Sequence, residues 1–167
     1  DEQGYRLMPG GERFYFTLSV RSESQSYQKI ANQLVADLKK IGIQVHLKPI
    51  LFNNLVQKLT STFDWEATFI GLTGGIEPHF GRNVWHSSGP LHMWHPRQKS
   101  PHRPWEQEID DIFDQGVSEL NHKKRVLMYR RWQRLVARYL PFIYTVKTPI
   151  LYAVRDKFVN LNPTAFG

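Results

Sequence analysis

Phe14, Phe16, Leu18 and Val20 alternate with Tyr15, Thr17 and Ser19. A period of two puts one set of side chains on each face of an extended chain, so this run predicts a strand. The period then changes: Ile30, Leu34, Leu38 and Ile41 recur at helical spacing, with Ser24 or Ser26 placed to cap the helix and Gly42 to stop it. Ile43, Val45 and Leu47 return to alternation as far as Pro49, and His46 between them faces away from their side. Asn53 precedes a short amphipathic helix marked by Leu55, Val56 and Leu59. Trp65, Ala67 and Phe69 alternate with Glu66, Thr68 and Ile70 as a third strand, which runs out at Gly71. The order is βαβαβ, and right-handed crossovers make the three strands parallel in one sheet.

From Leu72 to Pro104 the periodicity fades among Gly74, Gly75, Gly81, Gly89 and five prolines, with one short helix expected over Phe80 to Trp85. A loop of this length in a compact domain is usually functional. Trp105, Ile109, Ile112, Phe113, Val117 and Leu120 mark the next helix, and Met128, Trp132, Leu135, Val136 and Tyr139 another, broken from it at Asn121 and His122. Two strand-like runs close the pattern, Phe142 to Lys147 and Ile150 to Val154. The class is α/β. Residues 1–13, polar and Gly-rich, read as a linker entering from the rest of a larger protein, and residues 14–167 as a single α/β domain.

Charge narrows the picture. The chain of 167 residues carries 22 Lys and Arg against 15 Asp and Glu, for a net charge of +7 and a pI near 9.7. Such basicity invites a phosphate-binding reading. Residues 121–140, however, hold Lys123, Lys124, Arg125, Arg130, Arg131, Arg134 and Arg138 and no acid, which accounts for the whole excess. The helix before them carries Glu106, Glu108, Asp110, Asp111, Asp114 and Glu119 with no base. A short connection favours an antiparallel pair whose fields offset each other. A nucleic-acid-binding module therefore stands as the alternative and a solvated, partnered face as the preferred reading. No signature motif of a nucleic-acid module is evident.

With no cysteine, disulfides, thiolate metal sites and a cysteine nucleophile are excluded. His86, His92, His95 and His102 crowd the long loop and raise a metal site as a lesser alternative, but their spacing fits no zinc motif. No Ser-His-Asp pattern can be picked out, so no enzyme activity and no cofactor are expected. Gly71 to Pro78 follows the third strand directly, where ligands bind beyond the carboxyl ends of strands in open α/β sheets. It is neither GxGxxG nor a P-loop. Trp85 fits a pocket wall and a core plug equally well; Trp105 reads as core.

Several strings, in order, resemble a known family: Gly10-Gly11-Glu12-Arg13 before Phe14, Ile30 to Leu34, Leu38 to Ile43, Val45 to Pro49, Phe63-Asp64-Trp65 leading to Gly71, Glu77-Pro78, Lys124-Arg125 to Tyr129, Leu140 to Ile143 and Ala153 to Arg155. Together they resemble the second lobe of the bacterial extracellular solute-binding proteins of family 5, the peptide- and nickel-type receptors of ABC importers. The resemblance implies a three-layer lobe of the type II periplasmic-binding-protein kind, a mixed sheet with flanking helices, closing by a hinge on a solute. It implies a periplasmic or extracellular location, with the first lobe of the same receptor and an importer permease as partners. Nucleic acid is then no partner, and any lipid anchor lies outside this segment. It places Thr73, Gly74, Gly75, Ile76 and Glu77 against a peptide or other small solute in the interlobe cleft, with Asn83 and Trp85 beside them. In peptide-binding members this loop resembles Gly-Trp-x-x-Asp-Tyr-x-x-Pro, its Asp pairing with the peptide's amino terminus. Here Leu72 replaces the Trp, the Asp position falls on Gly75, and one residue is missing before Pro78. The amine-anchoring carboxylate is absent unless Glu77 substitutes for it.

Overall fold

The computed structural model describes residues 1–72 and 74–146, together with residues 153, 155, 157 and 160. The chain divides into two compact units, Asp1–Thr73 and Gly74–Gly167, and the single lobe expected over residues 14–167 spans both.

In the first unit, β1 (Tyr15–Arg21), α1 (Gln25–Lys40), β2 (Gln44–Ile50), α2 (Phe52–Gln57) and β3 (Ala67–Phe69) follow the expected βαβαβ order. The sheet order is β2-β1-β3 and both pairings are parallel, with Leu18 opposite Leu47 on one side and Ala67 on the other. As the central strand, β1 is covered on both faces: Leu18, Ser19 and Val20 are all buried. The alternation seen in the sequence therefore does not become a wet face here. Against this strand pack Ala31 of α1 and the Tyr27 and Phe69 rings, which meet edge to face at 5.3 Å. Ser24 caps α1, its side chain accepting from the Tyr27 amide, while His46 is exposed between half-buried Val45 and Leu47. A single π-turn, Lys58–Thr62, extends α2. The third strand starts at Ala67 rather than Trp65 because the Glu66 carboxylate, 2.8 Å away, takes the Thr17 amide in place of a backbone carbonyl.

Gly42 ends α1 at φ +77°, a conformation that L side chains rarely adopt. Residues 1–13 lie against this turn: the Arg6 amide donates to the Gly42 carbonyl at 2.8 Å, and Leu7 bridges Arg13 antiparallel. A Cβ on Gly42 would stand 2.3 Å from the Gly4 carbonyl oxygen. Gly42→Ala is expected to destabilise the first unit by more than ~1 kcal/mol, since backbone strain and clash add. A thermal melt within error of wild type would contradict this account of the turn.

The second unit is built on two long helices. A 3₁₀ turn (Pro78–Gly81) leads into α3 (Arg82–Trp85), and α4 (Pro104–Gly116) and α5 (His122–Tyr139) follow. The last two run antiparallel: Glu108 meets Arg131, the Gly116 carbonyl meets Arg125, and Trp105 stacks on Tyr139 at 5.0 Å. Their core is Ile109, Ile112, Phe113, Tyr129, Leu135 and Val136, with Trp85, Trp105, Met128 and Trp132 packed on its margin. Trp105, expected in the core, is half-buried and packs against it. The strand expected over Phe142 to Lys147 does not form in residues 142–146. Phe142 instead turns its ring edge-on to Trp85 and Trp94, and no described strand lies alongside to bond the backbone. Lys147 and the run Ile150 to Val154, apart from Ala153, fall outside the described residues. Among the described residues, no helix is long and apolar enough to cross a membrane.

Candidate functional site

The loop singled out in the sequence leaves the carboxyl end of β3, and its second half belongs to the second unit. Thr73 lies outside the described residues. Gly74, Gly75 and Ile76 are exposed, and nothing stands within 4 Å of where a Gly74 Cβ would project. A Cβ on Gly75 would lie 3.1 Å from the Phe80 ring, so glycine lets that ring settle over the loop backbone.

Glu77 is where this loop is tied down. Its carboxylate accepts from Arg125 at both oxygens, at 2.5 and 2.8 Å, and from the His79 amide at 3.0 Å. Arg125 also donates its Nε to the Gly116 carbonyl and lies over the Tyr129 ring, 5.0 Å from its centre. The Tyr129 hydroxyl in turn sits 3.3 Å from His79 Nδ1. The Arg125 bonds, then the His79 amide, hold the Glu77 carboxyl down at about 2, against a smaller opposing effect of burial. Since that lies below its ordinary 4.5, the stabilisation is complete above pH 4.5 and disappears as pH falls toward 2.

Asn83 is exposed and its carbonyl accepts the Leu91 amide at 2.9 Å. Trp85 is half-buried, 5.1 Å from the Trp132 ring and 5.4 Å from Phe142, so much of its surface covers the core. The structure thus joins Glu77 to α5 and leaves Gly74 to Ile76 open.

The charge pattern resolves differently from the expectation that α4 and α5 offset each other. Among the described residues, the α4 carboxylate paired with a base of α5 is Glu108, which binds Arg131 with both oxygens. The carboxylates of Glu106, Asp110 and Asp114, spaced four residues apart, turn instead toward the long loop. Glu106, buried, accepts from Trp94 Nε1, Gln98 Nε2 and the amides of His102 and Arg103. Burial pushes this carboxyl up, and its donors outweigh that and hold it below the usual range. Asp110 accepts the Ser87 amide at 2.8 Å, and Asp114 meets Arg82 and His86 at 3.0 and 3.3 Å. Sequence reasoning missed this role; the signal was three acids at helical spacing beside the apolar stripe of α4.

The loop histidines are dispersed among these partners. His86 lies between Asp110 and Asp114, His92 faces the Val84 carbonyl through Nδ1, and His95 packs on His102. Burial pushes His92 down, favouring its neutral form. Among the described residues no three His, Asp or Glu side chains gather as a metal-ligand set. A shallow apolar depression in the first unit, edged by Leu7, Met8, Phe14, Ile41 and Ile43, includes none of the residues singled out for binding.

No protein-family model matches the chain. Over 166 residues, 92% of the chain, it is 26% identical to a protein of Deinococcus radiodurans named an ABC transporter-binding protein, and it spans 28% of that relative's length. Among solved structures, the oligopeptide-binding protein AppA of Bacillus subtilis, in complex with a nonapeptide, superposes with a TM-score of 0.66 at 22% identity, covering 84% of this chain and 28% of that one. The chain has the fold of part of a family 5 solute-binding protein lobe. The same solute-binding fold is seen in the periplasmic binding protein MelB of Agrobacterium fabrum, in complex with stachyose: TM-score 0.69, 20% identity, 83% of this chain and 22% of that one. The chain spans less than a third of the length of each of these proteins.

Proposed function

We propose that this chain is the substrate-binding lobe of an ABC importer's solute receptor and takes oligopeptide-like solutes without catalysing a reaction. The observation that carries this reading is the match along 92% of the chain to an ABC transporter-binding protein. The loop Thr73 to Glu77 meets the solute, mainly through backbone N–H and C=O groups freed by its glycines, with Asn83 and Trp85 at its margin. The rest of the receptor supplies the opposite wall, a permease receives the solute, and the receptor works in the periplasm or at the outer face of the cell membrane. An oligosaccharide is the second reading, favoured by the stachyose complex of a protein with this fold.

A pocket encloses most of its ligand's surface, so one wall alone binds poorly. In calorimetry with a nonapeptide and with stachyose, the full-length receptor is expected to bind one of the two. The 167-residue chain alone is expected to bind it at least ~100-fold more weakly. Equal affinity in the isolated chain would contradict the two-walled site.

A further inference from the structure

We propose that the segment Gly74 to Phe80 presents an uncharged, apolar face, which takes an uncharged C–H face of the solute, and that Glu77 is a positioning residue and not an anchor for a cationic group. The inference rests on the solute-receptor reading and concerns what this loop can recognise.

Among the described residues, the carboxylate of this segment and the guanidinium just beyond it are already committed. Both Glu77 oxygens accept from Arg125, and one also accepts the His79 amide. Arg82, one residue beyond the 3₁₀ turn, pairs with Asp114 at 3.0 Å. An ammonium group arriving at Glu77 would compete with a bidentate guanidinium that already neutralises the carboxylate. The exposed side chains of the segment are apolar: Ile76 is 79% exposed and Phe80 76% exposed. The Phe80 ring lies against Gly75, where a side chain would push it aside. Ile76 and Glu77 are neighbours in sequence, so the ion pair to α5 also fixes where the Ile76 backbone stands. Exposed aromatic faces receive C–H groups, and two sources supply that chemistry: the face of a sugar ring or an apolar peptide side chain.

The test uses the full-length receptor and three probes: stachyose, trileucine and N-acetyl-trileucine. Whichever probe binds, Phe80→Ala is expected to weaken it by about tenfold and Phe80→Trp to restore it. If trileucine binds, its N-acetyl form is expected to bind within about threefold. Binding of stachyose alone identifies the sugar source, and binding of both peptides alone the side-chain source. Loss of peptide binding on acetylation, reproduced by Glu77→Gln, overturns the proposal, as does full affinity in Phe80→Ala. If no probe binds, the receptor reading fails for these solutes. The inference is then decided by an NMR titration of the Glu77 carboxyl. A value near 2 that returns toward 4.5 in Arg125→Met supports a committed carboxylate, and titration near 4.5 in the wild type overturns it.

Discussion

Phe113→Ala is expected to lower the stability of the second unit by about 3–5 kcal/mol, the range for truncating a large aromatic in a packed core. Phe113 is fully buried and meets Tyr129 and Trp132 edge to face, both at 5.6 Å. Those two rings belong to α5, so the truncation opens a cavity in the α4–α5 contact itself. Edge-to-face pairs add ~0.5–1.5 kcal/mol beyond area burial, and this ring makes two of them. Urea unfolding followed by tryptophan fluorescence reads the change, because Trp132 and Trp85 border the same cluster. A fall in midpoint at unchanged slope is expected. A loss below ~1.5 kcal/mol would mean that the helices are held together elsewhere.

The second large effect falls on the long loop. Glu106→Ala removes the acceptor of four donors, two of them side chains in or near the interior, Trp94 Nε1 and Gln98 Nε2. Leaving buried donors unsatisfied costs ~1–3 kcal/mol each, so a loss of at least ~2 kcal/mol is expected even after some of them reach water. The loop then loosens where it carries exposed Arg97 and Lys99, and trypsin is expected to cut there faster than in the wild type. Acid acts in the same direction. The Glu106 carboxyl is held below its ordinary value, so its contribution is complete above that value and is lost as pH falls through the depressed one. In that acid window the wild-type loop is accordingly expected to become sensitive to pepsin, an acid-active protease, whereas the variant is sensitive throughout. Identical cleavage of the two proteins at neutral pH would show that Glu106 does not organise the loop.

These two predictions also mark what a sequence can and cannot carry. The parallel sheet and α1 were legible because their signals are local: alternation from Phe14 to Val20, helical spacing from Ile30 to Ile41, Ser24 ahead and Gly42 behind. The α4–α5 pair was legible for the same reason, since two apolar stripes met across the break at Asn121. Glu106 was not legible. As one of six acids before the basic helix it read as a partner for those bases, and only the folded loop shows that its carboxylate is the hub of residues 94–103. The Glu77–Arg125 pair, 48 residues apart in sequence, is a tertiary fact of the same kind. Phe142 to Val146 failed in the opposite way. Their apolar run suits a strand, but a strand needs a neighbour to bond to, and no described strand stands beside them.

The basic helix remains the strongest rival signal. Its ion pairs among the described residues involve Arg125 and Arg131. Lys123, Lys124, Arg130, Arg134 and Arg138 are exposed, so the helix is less neutralised by α4 than the charge pattern suggested. A solvated cationic face on a receptor lobe predicts weak, salt-sensitive contact with any polyanion. A nucleic-acid module predicts tight binding with a steep salt slope.

Mass spectrometry of small molecules released on denaturing the full-length receptor tests the central claim most directly. The account predicts a stoichiometric peptide or oligosaccharide from the full-length receptor, retained at lower occupancy when Phe80 is replaced by alanine. A receptor that carries no such molecule, yet retains nucleic acid until high salt removes it, would contradict it.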